Sequence, residues 1–473
     1  FFDNLVEKTE QTKLYSEFHF DITPNSTFHV EGMYSFVDLP EWKTSPSYPP
    51  QSLFGPDRVA AENHPGLVAM RAAYPDIPQT GGAIPINRAR GVTGKVPGGI
   101  PESSPRETKT YRLAAGLDGT LFDDQLNYDI SVSWSKRERD IGGNDMFIER
   151  MGHAMNGFGG ADCDRSVVGG NGTVGVGTPV STPGVGNCEY YNPFSNSIQQ
   201  SAVNGFVNPN YNPAVANSTE LFDWLIADTG SSTDNELLVF DAIFSGETGV
   251  QLGGGSMGYA FGGQVRQERY EFAVVDEADR ALNPCPWGED TDLAGYLFGF
   301  DENCAVPSGQ LAFLAAADEE TARRKIYGLF GELALPLTDT FNVQLAVRFE
   351  DYGGKVGSTI DPKVAFSWNF AEGFTFRGSA STTFRGPPQS ILSGTGTALQ
   401  FIAAQNAFKA VDVNGNPDLS PEKAVTTNFG LVYQNEAFYG SIDYWRFDFQ
   451  DPFQTESAQQ ITGAYFDQDC QDG

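Results

Sequence analysis

No apolar run in this chain approaches the ~18 residues that a membrane helix requires, so a membrane location has to come from strands. Cations are scarce as well. The 30 Lys and Arg stand against 61 Asp and Glu, and a formal net charge of −31 argues against a nucleic-acid partner, because phosphate binding needs clustered Lys and Arg. Histidine is limited to His19, His29, His64 and His153, scattered without the spacing of a metal site, and no cofactor is implied. Five cysteines are few for a disulfide scaffold, yet four fall as two pairs in loop-like stretches, Cys163 with Cys188 and Cys285 with Cys304. That placement predicts two disulfides and an oxidising compartment, with Cys470 left over.

What the chain does have is period two. In FNVQLAVRFEDY the apolar set Phe341, Val343, Leu345, Val347 and Phe349 alternates with Asn342, Gln344, Ala346, Arg348 and Glu350. KVAFSWNF repeats the pattern with Val364, Phe366 and Trp368 against Lys363, Ala365 and Ser367. After an Ala371-Glu372-Gly373 turn, Phe374, Phe376 and Gly378 alternate with Thr375, Arg377 and Ser379. A soluble sandwich also has one oily and one wet face, but these strands run to about ten residues or more, nearer a membrane strand than the usual ~5–6. The reading is an all-β fold, an antiparallel transmembrane β-barrel, with the apolar row outward and Arg348, Glu350, Lys363, Arg377 and Ser379 towards the lumen.

Similar patterns recur from KLYSEFHFDI at the start to AFYGSIDYWRFDF near the end, giving about twelve strands, a partial wall. Short turns alternate with long irregular stretches at about 38–109, 140–235, 273–322 and 386–424; only the 351–358 connection is brief for its place. All short turns then lie at one rim, periplasmic, and all long loops at the other, extracellular. Two details of local structure are expected: a hairpin turning at Glu247-Thr248-Gly249, and a short helix within LAFLAAADEETARR (Leu311 to Arg324). Opening at Phe1 without a leader pattern and ending inside a loop pattern, the sequence is expected to be incomplete at both ends, with residues 1–473 forming one barrel domain.

Two motifs, and a strand earlier in the chain, carry a family likeness. STTFRGPPQSIL (Ser381 to Leu392) resembles the "FRAPxxxEL" stretch of TonB-dependent outer-membrane receptors, and NPDLSPEKAVTTNFGLVYQ (Asn416 to Gln434) resembles their "NPxLKPExSxxxExG" stretch. FGGQVRQERYEF (Phe261 to Phe272) is similar to their "GxEYRxE" strand. The resemblance implies the barrel portion of an active importer in the Gram-negative outer membrane. Its partners would be outer-membrane lipid, a small-molecule or oligosaccharide ligand, and the TonB energy-coupling complex, reached through a plug outside this sequence. The nutrient would be a siderophore, vitamin or oligosaccharide. A passive porin is the rival, sharing the barrel alternation without the two motifs; a soluble sandwich or adhesin is the third class.

The remaining motifs carry little chemistry. Gly254-Gly255-Ser256-Met257-Gly258 matches G-x-S-x-G, but a nucleophile elbow needs a buried strand leading into a helix, and here the residues lie in a strand-like run; no catalytic residue is assigned. Asp412, Asn414, Asn416 and Asp418 alternate as calcium ligands do, yet Pro417 replaces the loop glycine and Lys423 the closing Glu, so a turn feeding a strand explains them as well. Tyr190, Tyr191, Phe194 and Phe206 lie in an Asn-rich loop, where aromatic faces either stack on a substrate or anchor the loop to itself.

Overall fold

The computed structural model describes residues 6–40, 51–52, 60–83, 86–87, 104–171, 173–200, 206–288, 291–299, 309–311, 316–405 and 407–467. Twelve antiparallel strands form one sheet: β1 (Glu10–Thr23), β2 (Ser26–Leu39), β3 (Arg106–Leu121), β4 (Leu126–Met146), β5 (Ile226–Leu252), β6 (Gly255–Val274), β7 (Glu320–Thr338), β8 (Phe341–Asp351), β9 (Ser358–Ala371), β10 (Phe374–Arg385), β11 (Glu422–Gln434) and β12 (Tyr439–Gln450). Spatial order equals chain order, as it does in an up-and-down barrel wall. The wall is open among the described residues, with β1 and β12 as its edges.

Register explains why the alternation matters. Leu333 pairs with Leu345, and Leu345 with Val364, so one apolar row runs from strand to strand. These side chains are exposed: Leu329 is 61% and Ile360 68% accessible, while the opposite row holds Glu350 at 2% and Ile326 at 1%. A soluble sheet would bury the oily row. No second layer covers it among the described residues, so the outer face is the apolar one.

Rings border that band at both ends. Near the short turns Trp368 and Phe370 lie 5.6 Å apart, Phe370 and Phe374 5.8 Å, and Phe374 and Tyr433 4.5 Å. Towards the long loops Tyr34 faces Tyr111 at 5.3 Å, and the Trp134 indole N–H donates to Glu236 at 2.7 Å. From Tyr327 to Leu337 is ten residues, which at ~3.4 Å each and a tilt near 40° is about 26 Å, the height of a barrel's apolar belt. β4 to β7 run to 19–27 residues, well past that belt, and their far ends carry the loops.

On the inner face two ion pairs reach to the second strand over, each across a glycine on the strand between. Arg266 on β6 meets Glu350 on β8 at 3.0 Å over Gly328, and Glu350 also accepts from Arg348. Arg377 on β10 meets Asp443 on β12 at 2.8 Å over Gly430, where an added Cβ would sit 2.1 Å from the Asp443 carboxylate. Arg348, Glu350 and Arg377 therefore face inward; by register Lys363 and Ser379 share that side.

Three details differ from the sequence expectation. The β5–β6 turn falls at Gly253-Gly254, because β5 continues through Glu247-Thr248-Gly249 and absorbs the misfit as a register shift at Ser256/Gly258. Of the stretch expected to hold a short helix, residues 312–315 lie outside the described residues; from Glu320 to Arg324 it is strand, where pairing with Phe272 and Glu271 overrides helix propensity. A helix does occur earlier in that loop, at Thr291–Phe298. The 386–424 loop also contains a hairpin, Thr395–Ile402 with Ala407–Asn414.

The long loops fold into a cap with its own core. Met146, Met151, Ala154, Met155, Tyr191, Leu221, Phe222, Trp224 and Leu225 pack together, joined by Ala60. Helix α1 (Pro65–Ala73) docks on it, begun by a proline at the first helical position and by His64, whose Nδ1 accepts from the Gly66 N–H at 3.2 Å. The His64 Nε2–H donates to the Tyr191 carbonyl at 3.1 Å, so the ring is neutral, and burial holds its pKa below the ordinary 6.5. The Cys163–Cys188 disulfide closes part of the cap, with the two Cα atoms 4.7 Å apart. Cys285 is also disulfide-bonded; Cys304 and Cys470 lie outside the described residues.

Candidate functional site

The first of the two family-like stretches sits against the inner wall just below the cap. Phe384 and Arg385 end β10, and Gly386 then turns the chain inward with no room for a side chain: a Cβ there would lie 2.3 Å from the Tyr352 ring. Pro387 is fully buried, and its carbonyl accepts from Arg324 Nη1 at 2.8 Å. The same guanidinium grips Glu268 through Nε and Nη2 at 3.1 and 2.6 Å and stacks 5.1 Å from the Tyr352 ring. One arginine thus ties β7, β6 and the loop together.

The second stretch meets the first. Leu419 packs with Phe384 against Ile326, Tyr352, Val356 and Leu392, while the Asn416 N–H donates to the Ile391 carbonyl at 3.0 Å. Glu422 receives Arg385 Nε at 2.5 Å and the Phe453 N–H at 2.6 Å. The two sequence motifs are therefore halves of one apolar knot with an arginine clamp on each side, and Arg324 is the member that sequence reading missed.

Beside the knot a cavity of about 470 Å³ opens on the inner face, bordered by Arg137, Asn235, Tyr270, Arg324, Arg385 and Gln389. Arg324 and Arg385 have carboxylate partners. Arg137 has no ion pair among the described residues, nor does Arg139 two positions further along the same inward row of β4. In a chain this acidic, two uncompensated cations on the lumen wall make a local positive field.

The other candidates separate. Tyr191 is 1% exposed and anchors the cap; Phe194 packs on the same core, and Tyr190 stands edge-on to His64 with centroids 5.0 Å apart. Phe206 is 65% exposed. Ser256 follows the β5–β6 turn and leads into strand, with no helix after it. Asp412 pairs with Arg280 at 3.3 Å and Asp418 with Lys355 at 2.5 Å, so these carboxylates are spent on separate cations.

A single wide antiparallel sheet with an exposed apolar belt, an ion-paired inner face and loops massed at one rim defines the wall of an outer-membrane β-barrel. The family model described as TonB dependent receptor-like, beta-barrel, matches residues 72–468, and the chain belongs to that family, whose members are transporters of the Gram-negative outer membrane and not enzymes. Over 144 residues it is 26% identical to the "Probable TonB-dependent siderophore receptor PirA" of Acinetobacter baumannii ATCC 19606, an overlap of 29% of this chain and 18% of that protein. Over 132 residues it is 22% identical to the "Ferrienterobactin receptor" of Escherichia coli K12, covering 27% and 17%. The crystal structure of the siderophore receptor PirA from Acinetobacter baumannii superposes with a TM-score of 0.50 at 14% identity, over 95% of this chain and 44% of that one, a likeness of fold. The matched stretches thus cover less than a fifth of each of these curated relatives, and the superposed chain covers under half of the solved structure.

Proposed function

We propose that this chain is the barrel domain of a TonB-energised importer and that its substrate is a small anionic chelate of the siderophore kind. The observation that carries the substrate class is Arg137, an arginine without an ion pair among the described residues at the wall of the cavity of about 470 Å³, with Arg139 two positions further along the same inward row. Oligosaccharides and neutral vitamins gain nothing from that field; a chelate bearing negative charge does. Tyr270 adds an aromatic face at the cavity wall, and Phe206 offers an exposed ring in the loops for first contact. Both relatives named for siderophores support the same class.

Energy coupling follows from width. A barrel large enough to carry these loops is unselective when open, so a plug has to occlude it and ligand binding has to bias plug movement. The apolar belt meets outer-membrane lipid, and the ion pairs along the inner wall face the plug and the passage. In cells carrying the complete protein, uptake of a radio-iron catecholate chelate should collapse when the proton gradient is dissipated or TonB is deleted. Uptake that persists under both treatments makes a passive channel the better reading. Arg137→Gln with Arg139→Gln should weaken binding of the anionic chelate by roughly tenfold or more, at about 1 kcal/mol for each cation, and leave uptake of a neutral solute by a plug-deleted barrel unchanged.

A further inference from the structure

On the outer wall, at the loop side of the aromatic border, three cations come together in a way that the sheet alone does not favour. Arg269 on β6 lies directly opposite Arg323 on β7, and Lys325 follows two positions along the same outward row, opposite Gln267. The row is fixed by its neighbours: Val265 pairs with Tyr327 lower on the wall, both exposed, while Ile326 and Arg324 between them point inward. Like charges facing each other across a strand pair are destabilising. Arg269 is held by Glu271 at 2.8 Å and more loosely by Glu236 at 3.9 Å, yet its Nε is buried without a hydrogen-bond partner. Arg323 and Lys325 are exposed and have no ion pair among the described residues.

Lys325 stands two residues beyond Tyr327, about 5 Å up the wall for a tilted strand, and Arg323 a further step. That is the depth at which acyl chains give way to headgroups. We infer that Arg269, Arg323 and Lys325 form a docking site for a phosphorylated lipid headgroup of the outer leaflet. The lipid's acyl chains lie on Leu329 and Val265, Tyr327 sits at the interface, and its phosphate neutralises the Arg–Arg pair, taking a hydrogen bond from each guanidinium and from the Lys325 ammonium. Glu236 and Glu271 keep Arg269 extended between the strands and limit the site to one phosphate group. The site belongs to the outside of the wall and is independent of what passes through the lumen.

The test uses the complete receptor purified in detergent and probed by native mass spectrometry with diphosphoryl lipid A and with the same lipid enzymatically dephosphorylated. The wild-type protein should retain the diphosphoryl form, and Arg269→Gln, Arg323→Gln, Lys325→Gln together should weaken retention by at least tenfold, since each cation at a lipid surface is worth roughly a factor of five. Arg323→Lys should keep most of the binding, which separates charge from fold. Arg446→Gln, a cation on the outward row of β12 beside its own Asp448, should change nothing. Equal retention of both lipid forms by the wild type, or undiminished retention by the triple variant, would overturn the assignment.

Discussion

Arg324→Ala offers the most informative single perturbation, because one side chain joins two wall strands to the loop that carries the first motif. Its guanidinium is nearly buried, with 9% of the side chain accessible, and Glu268 is about one third exposed. Two charge-assisted bonds to that carboxylate are worth roughly 1.5–3 kcal/mol together, the bond to the Pro387 carbonyl about 1, and the contact with Tyr352 about 0.5–1. Allowing for the water that reaches Glu268, the loss is about 3 kcal/mol, roughly a hundredfold in a local opening equilibrium. The barrel itself should stay folded, since the strand ladder is untouched. Hydrogen exchange of the complete receptor should therefore speed up by about that factor at Ile391, Gly394 and Asn416, whose amides are bonded within the knot, and not in the β7–β8 ladder. A double-mutant cycle with Glu268→Ala should show coupling above ~1 kcal/mol. Unchanged protection of those three amides in Arg324→Ala would refute the clamp.

Three further outcomes follow from the geometry. His64 is held neutral, below its ordinary 6.5, so the unfolded cap takes up the proton more readily than the folded one: its contribution is complete above 6.5 and is lost as the pH falls below it, and proteolysis of the cap should accelerate there in the wild type and not in His64→Gln. Gly386→Val should displace the loop at a cost of about 1–3 kcal/mol by driving a Cβ into the Tyr352 ring, and Tyr352→Ala should relieve it, both read from the same exchange data. Replacing Cys163 and Cys188 by Ser, across 25 residues, should lower cap stability by about 3 kcal/mol in local unfolding while leaving the strand wall intact.

The wall was legible because its physics is one-dimensional. Each strand repeats every second residue, each row of Leu, Val and Phe has one side to face, and short turns such as Glu372-Gly373 leave little freedom of register. Glu247-Thr248-Gly249 misled because it has turn composition, whereas register between β5 and β6 is decided by the whole ladder. Glu320 to Arg324 misled in the same sense: helix propensity is a weak preference, and an unpaired wall strand is a strong demand. The cap escaped notice for another reason. Its helices, Ile148–Met155 and Thr219–Leu225, are too short for a periodic signal and bury Met, Leu and Trp drawn from loops far apart in the chain. Arg324 was invisible as a clamp, since in sequence it is one more charge in an Arg-Arg-Lys run, and only register shows that its neighbours on either side point the opposite way.

The placement of the two faces is tested most directly by a nitroxide scan of β8, one label at a time from Phe341 to Asp351, in the complete receptor reconstituted in phosphatidylcholine vesicles. Collision with oxygen, which concentrates in lipid, should peak at Val343, Leu345, Val347 and Phe349 and fall at Asn342, Gln344, Ala346 and Arg348, a period of two along the whole strand. A flat profile, or maxima at Gln344 and Arg348, would contradict a barrel wall with its apolar row turned outward.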